Sequence, residues 1–293
     1  MVLLFIGISL LVFSLVACSE SENEGGNNGE GESEKGTLEL SMPPWVNSPP
    51  QAWMVKLIIE EHLGWEVNIT EADIGLSFAS TANGTTDFFV DAWLPGSHDP
   101  FVEEHGDDIE VLEPFTEVPP NGLIVPDYVY EEITSIGQLN ENKEKFNNRI
   151  VGIEPGSGIM DLTEQAIEEY NLEFELIEGS DFAMTATLED AIDNNEWVVA
   201  TGWSPHWMFT KFDLEYLDDP ENVYGDIRDI YPIINKDLPD KAPEVVEFLN
   251  KWEVDGSVWD ELINEISVEE KDPETTIQNW LDENEDLVNS WLE

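Results

Sequence analysis

Three tryptophans stand in comparable settings along this chain. Trp45 closes the run SMPPW, while Trp93 and Trp203 each open a Trp-x-Pro turn, in DAWLP and TGWSP. All three are expected just after strands, in Pro-flanked loops and not on a helical face. A tryptophan taken singly in such a place is normally a core or turn residue. Three in matching positions point to a shared task. A group of indole faces suits a quaternary ammonium group, whose charge is spread over methyls and which has no N–H to donate. Cation–π contact is then the main specific attraction, worth about 2 kcal/mol per face once desolvated.

The loop Gly156-Ser157-Gly158-Ile159 precedes an expected helix. Glycines allow close backbone approach, and the first N–H groups of a helix lack internal acceptors, so they favour an anion. By itself such a loop is an ordinary tight turn. Beside an indole cage it supplies the second half of a zwitterion site, with the cation at one end and the carboxylate at the other. His98, shortly after Trp93, is a candidate donor to that carboxylate, although a lone histidine there reads first as a surface residue. His206 and Trp207 follow Trp203 and read as supporting or packing residues.

These loops need strands and helices to hold them. Short apolar runs alternate with helical patterns from about residue 37, which argues for an α/β architecture. Strands are expected at 37–41, 65–69, 87–91 and 122–125, with a helix over 50–63. The pattern then restarts with a strand at 150–153, a helix at 159–170, a strand at 174–177, a helix at 183–194 and a strand at 197–201. A further strand follows at 231–235, then amphipathic helices at 243–252, 257–266 and 273–291. The spacing from Trp45 to Trp93 nearly repeats that from Gly158 to Trp203. Two similar lobes, each offering the same two loops, are therefore expected, with the cleft at the carboxyl ends of the strands. Such a pair can close around a small molecule.

The chain resembles the substrate-binding lipoproteins of ABC-type glycine betaine uptake systems over roughly residues 37–293. The resemblance is carried by VGIEPGSGIMDLTEQA (151–166), AMTATLEDAI (183–192), VVATGWSPHWMF (198–209), KFDLEYLDDP (211–220) and DAWLPGSHD (91–99). It implies a two-lobed periplasmic-binding-protein-like (type II) fold with a ligand cleft between the lobes. The lobes would be 37–121 plus 226–293, and 122–225. It also implies an aromatic box at Trp45, Trp93 and Trp203, with the ligand carboxylate on the backbone amides of Gly158 and Ile159 and the imidazole of His98. The implied partners are ABC permease subunits with a separate ATPase, with no cofactor, no metal and no catalysis. Some relatives carry the two halves in the opposite order, which suits the internal repeat.

Composition bounds the setting. The 293 residues hold 65 Asp plus Glu against 11 Lys plus Arg, a formal charge of −54. A polyanion cannot neutralise phosphates, so nucleic acid is excluded as a partner, and so is polybasic adhesion to anionic lipid. Disorder would need few apolar residues. Here 41% are hydrophobic and 11 are Trp, which can build a large core. Such a charge predicts a protein suited to concentrated salt, where self-repulsion is screened.

Residues 2–17 are nearly continuous apolar and are too short to span a bilayer as a permanent helix, so 1–17 reads as a signal peptide. Leu15-Val16-Ala17-Cys18 resembles a lipobox, which predicts lipidation of Cys18 and placement on the extracellular face of the membrane. No Lys or Arg precedes the run, a departure from that pattern. Residues 18–36 read as a flexible acidic tether. The competing readings are a binder of another solute (proline betaine, carnitine, choline, dimethylsulfoniopropionate or ectoine) and a secreted carbohydrate-active enzyme with two carboxylates. With 65 acids a carboxylate pair carries little weight, and no P-loop, HExxH or GxSxG motif is present.

Overall fold

Near-continuous apolar runs belong to strands covered on both faces. FFVDAWL at Phe88–Leu94 and GLIVP at Gly122–Pro126 are of this kind, and every residue in both is buried. They lie inside two separate sheets of the computed structural model, which describes residues 35–225 and 228–293. The expected signal segment 1–17, the lipidation site Cys18 and the tether up to residue 34 lie outside the described residues. So do 226 and 227, at the expected return to the first lobe.

In chain order the first strands are β1 (Thr37–Met42), β2 (Glu66–Glu71), β3 (Phe88–Leu94), β4 (Ile109–Val111), β5 (Thr116–Val118) and β6 (Gly122–Pro126). They are followed by β7 (Arg149–Val151), β8 (Glu175–Ile177), β9 (Ala200–Gly202), β10 (Leu214–Tyr216) and β11 (Arg228–Asn235). The helices that concern the site are α1 (Ser48–Ile58), α2 (Ile74–Ala82), α3 (Asp99–His105), α4 (Asp127–Tyr130), α5 (Gly158–Glu169) and α6 (Asp181–Asp193).

One sheet runs β2-β1-β3-β11-β4, with β5 also on β11; the other runs β10-β6-β9-β7-β8. Each contains a parallel trio with the same order, β2-β1-β3 in one and β8-β7-β9 in the other. Each trio is flanked by an antiparallel strand, β11 beside β3 and β6 beside β9. Helices α1 and α5 follow the first strand of each trio, and α2 and α6 follow the second. The repeat in sequence is thus a repeat in topology. The equivalent loops, after β1 and β7 and at the ends of β3 and β9, lie at carboxyl ends of strands. Both Trp-x-Pro turns contain a cis X–Pro bond, Leu94–Pro95 and Ser204–Pro205.

Several elements differ from expectation. The helix expected over 50–63 is α1 followed by a wider π turn at Ile59–Leu63, closed by Gly64 in the left-handed region at φ 73°. The strand expected over 197–201 pairs only at Ala200–Gly202. The helix expected over 273–291 is two, Pro273–Glu283 and Glu285–Leu292. Asn284 separates them, its side-chain amide bonded to the Trp280 carbonyl at 2.8 Å. Outside the cleft, Phe115 stacks on Trp252 with centroids 4.1 Å apart and meets Trp259 edge-on, so these two tryptophans belong to the core.

Candidate ligand-binding site

Trp45, Trp93, Trp203, His98, Gly158 and Ile159 all line one cavity, together with Ser97, Asn121, Ile153 and Ser157. Its free volume, counted as room for the centres of water molecules, is about 30 Å3. The three indoles are covered, at 7%, 3% and 4% relative exposure. Trp45 comes from the loop between β1 and α1, and Trp203 directly follows β9. Trp93 lies within β3, not in the loop after it, because β11 continues its ladder past Asp91 and pairs Ile230 with Trp93.

Each indole N–H is held by an oxygen. Trp93 Nε1 donates to Asp91 Oδ1 at 2.7 Å. Trp203 Nε1, on the second lobe, donates to Asn47 Oδ1 of the first at 3.2 Å. Trp45 Nε1, on the first lobe, donates to Glu154 Oε1 of the second. The Val46 amide adds a bond to Asp181 Oδ2 at 3.2 Å, and Asn121 Nδ2 donates to Ser97 Oγ at 3.2 Å. The cleft is therefore shut over the cavity, with indole edges serving as cross-lobe ties.

The carboxylates behind the rings have shifted affinities for protons. Burial pushes Asp91 up to about 6, against the opposing bonds from Ser48, Trp93 and Asn47. Burial also raises Glu154; its bond from Trp45 opposes this, and the charges of Asp181 and Asp73 add to it.

Polar groups also line the cavity. Ser157 holds the N-cap position of α5 with its hydroxyl turned to the Glu154 carbonyl, so Gly158 and Ile159 supply the first two N–H groups of the helix, which have no intrahelical acceptor. Gly156 sits at φ +85°, the left-handed conformation the turn requires. A Cβ on Gly158 would lie 2.2 Å from the Ser97 carbonyl oxygen. Its bare backbone allows the close approach of Ser97 from the opposite lobe. His98 is buried, not a surface residue. Its Nδ1 accepts the Trp93 amide at 2.9 Å, so the proton of the neutral ring sits on Nε2, which is a donor. The ring stacks on Trp45 with centroids 5.9 Å apart.

His206 accepts the Met208 amide on Nδ1 at 3.1 Å, sits 3.0 Å from Asp181 Oδ1 through Nε2, and packs edge-on against Trp203. Trp207 packs on His206 and Phe212 and does not line the cavity. Sequence reasoning missed Asn47, Asp91, Glu154 and Asp181. Only Asp91 left a trace, as an acid inside an otherwise apolar strand.

Three comparisons bear on this geometry. Residues 36–283 match the family model for the substrate binding domain of ABC-type glycine betaine transport systems. The chain belongs to this family. Its fold is the two-lobed type II binding-protein fold, seen in lactococcal OpuAC in its closed, glycine betaine-bound form. That structure superposes at a TM-score of 0.82 with 31% identity, over 88% of this chain and 99% of that one. The glycine betaine/L-proline-binding protein ProX of Borrelia burgdorferi superposes at 0.84 with 25% identity, over 88% and 97%. In sequence, the glycine betaine/carnitine transport binding protein GbuC of Listeria monocytogenes is 39% identical over 153 residues. That alignment spans about half of each protein, 51% of this chain and 51% of GbuC. Among the described residues of this family member, no helix is long and apolar enough to cross a membrane, and no group of His, Cys, Asp or Glu is placed to hold a metal ion.

Proposed function

We propose that this chain is the extracellular solute-capture component of an ABC importer and that it takes glycine betaine or a closely related betaine. Trp45, Trp93 and Trp203 would surround the trimethylammonium group, while the Gly158 and Ile159 amides and His98 Nε2–H would receive the carboxylate. The observation that carries this reading is the meeting, in one covered cavity, of three indoles with a helix N-terminus and an imidazole donor. Faces worth about 2 kcal/mol each and charge-assisted bonds worth about 1.5–3 kcal/mol each, less ordering costs, put net binding near about −7 to −8 kcal/mol, a micromolar constant.

Calorimetry in high salt against glycine betaine, carnitine, proline betaine, choline, ectoine and a sugar tests the reading. Micromolar heat with the betaines is expected. Carnitine, named in the description of GbuC, also joins a trimethylammonium group to a carboxylate and is the second ligand to try. Choline lacks the carboxylate and should bind weakly. Binding of the sugar alone, or turnover of any of these compounds, would sink the proposal.

The delivery partner would be a permease powered by a separate ATPase, with the protein tethered to the membrane by lipid on Cys18. Mass spectrometry of the mature N-terminus, and release of a Cys18→Ala variant into the medium, test the anchor. The charge of −54 supports service in concentrated salt.

A further inference from the structure

Asp91 is a carboxylate with 1% relative exposure in the first lobe, and among the described residues no basic side chain forms an ion pair with it. Burying such a group is costly unless its bonds serve a purpose. An ionised carboxylate only accepts hydrogen bonds, and three donors converge on this one. Trp93 Nε1 reaches Oδ1 at 2.7 Å, Asn47 Nδ2 reaches both oxygens at 3.1 and 3.0 Å, and Ser48 Oγ donates to Oδ2. The Asn47 amide has one donor end and one acceptor end. With Nδ2 fixed on Asp91, Oδ1 is turned to accept the Trp203 N–H from the opposite lobe.

We propose that Asp91 is the positioning residue of the cage: it sets Trp93 directly and Trp203 through Asn47, and its charge strengthens the hold of both rings on a quaternary ammonium cation. An N–H donated to an anion is polarised, which leaves the indole face more negative. Ring faces bind cations through that negative potential. The charge also acts on the cation directly across a dry, low-dielectric interior. This inference rests on the betaine reading and names what makes the cage selective for a cation over an uncharged group of the same shape.

A pH dependence follows. Burial pushes Asp91 up to about 6, and a bound cation favours the ionised form, so affinity should fall as pH drops through that value. The other titratable groups near the cage are Glu154 on Trp45, His206 against Trp203 with its partner Asp181, and His98 on the Trp93 amide. The groups bonded to Asp91 itself, Asn47, Ser48 and the Trp93 indole, do not titrate in this range. Any step that survives in Asp91→Asn therefore belongs to those other groups.

The experiment measures affinity for glycine betaine and for its uncharged-head isostere tert-butylacetate between about pH 5 and about pH 8, in high salt, for the wild type, Asp91→Asn and Asn47→Ala. The wild type should prefer betaine and lose up to about tenfold in affinity toward the acid end. Asp91→Asn should bind betaine at least about tenfold more weakly at the alkaline end, lose the acid step and narrow the betaine-to-isostere ratio. Asn47→Ala, which frees Trp203 but keeps the carboxylate, should weaken binding and retain the step. It carries the test if Asp91→Asn does not fold. Undiminished affinity in either variant overturns the inference, as does an equal loss for both ligands in Asp91→Asn with the step unchanged. A wild-type protein that binds no quaternary ammonium compound overturns the functional reading itself.

Discussion

Trp93 joins three levels of the site in one side chain. Its ring lines the cavity, its indole N–H rests on Asp91, and its backbone N–H fixes the tautomer of His98. Removing it would delete a proposed cation–π face and also release a buried carboxylate and an imidazole. Trp93→Ala and Trp203→Ala should each weaken betaine binding at least about tenfold, or about 1.4 kcal/mol, with Trp45→Ala similar; calorimetry reads this, and undiminished affinity would remove the cage. Asp91 also predicts a stability trend. Its folded pKa of about 6 exceeds the ordinary 3.8, so between those values the folded chain keeps a proton that the unfolded chain releases. Its contribution is present in full below 3.8 and is lost as pH rises through about 6. The wild type should therefore gain melting temperature relative to Asp91→Asn as pH is lowered through that window. The tryptophans were legible because their types and spacing are unusual, and His98 through the family resemblance, since alone it reads as a surface residue. Asn47 and Glu154 were not, because nothing along the chain sets them apart from the other polar residues, and Asp91 showed only as an acid inside an apolar run.

At the scale of elements, the cleft depends on helix α5 starting at a glycine. The Ser97 carbonyl would come within 2.2 Å of a Cβ at Gly158, and backbone cannot move aside as a flexible side chain can. Gly158→Ala should keep the fold and its melting temperature while losing more than about tenfold in betaine affinity. Scattering should show no ligand-induced compaction; normal closure and affinity would refute this. The repeated strand–helix units were readable from periodicity, and the repeat of the Trp and Gly loops located the cleft. Helix α2 was not among the expected elements; its sequence IGLSFASTA sets Ser77, Ser80 and Thr81 among apolar residues. It forms because tertiary partners satisfy its hydroxyls: Ser77 Oγ meets Ser41 Oγ at 2.7 Å, and Ser80 and Thr81 both bond Thr86 at 3.0 Å. Trp93 was expected in a loop because its strand is extended by β11, whose residues lie far along the chain.

At the scale of the whole molecule, charge dominates. Among the described residues Lys35, Lys56, Lys143, Arg149, Lys211, Lys236, Lys241, Lys251 and Lys271 each pair with an acid. Lys145 instead lies 3.8 Å over the ring of Trp197. Internal pairing is thus nearly used up, and with 65 acids against 11 bases most carboxylates have no base to pair with. At about 1 M salt the Debye length is roughly 3 Å, short enough to screen that repulsion. The melting midpoint should rise between dilute buffer and molar salt, and a flat or falling midpoint would refute the saline reading. Composition and residue type alone determined the acidic surface, the α/β class, the repeat and the three tryptophans that line the cavity, because these depend on local pattern and on counts. Which carboxylates are buried, which indole is tied to which lobe and why Gly158 must be bare were decided only by the tertiary structure. Those properties arise where segments distant along the chain meet in a dry cleft, and no local pattern records such a meeting.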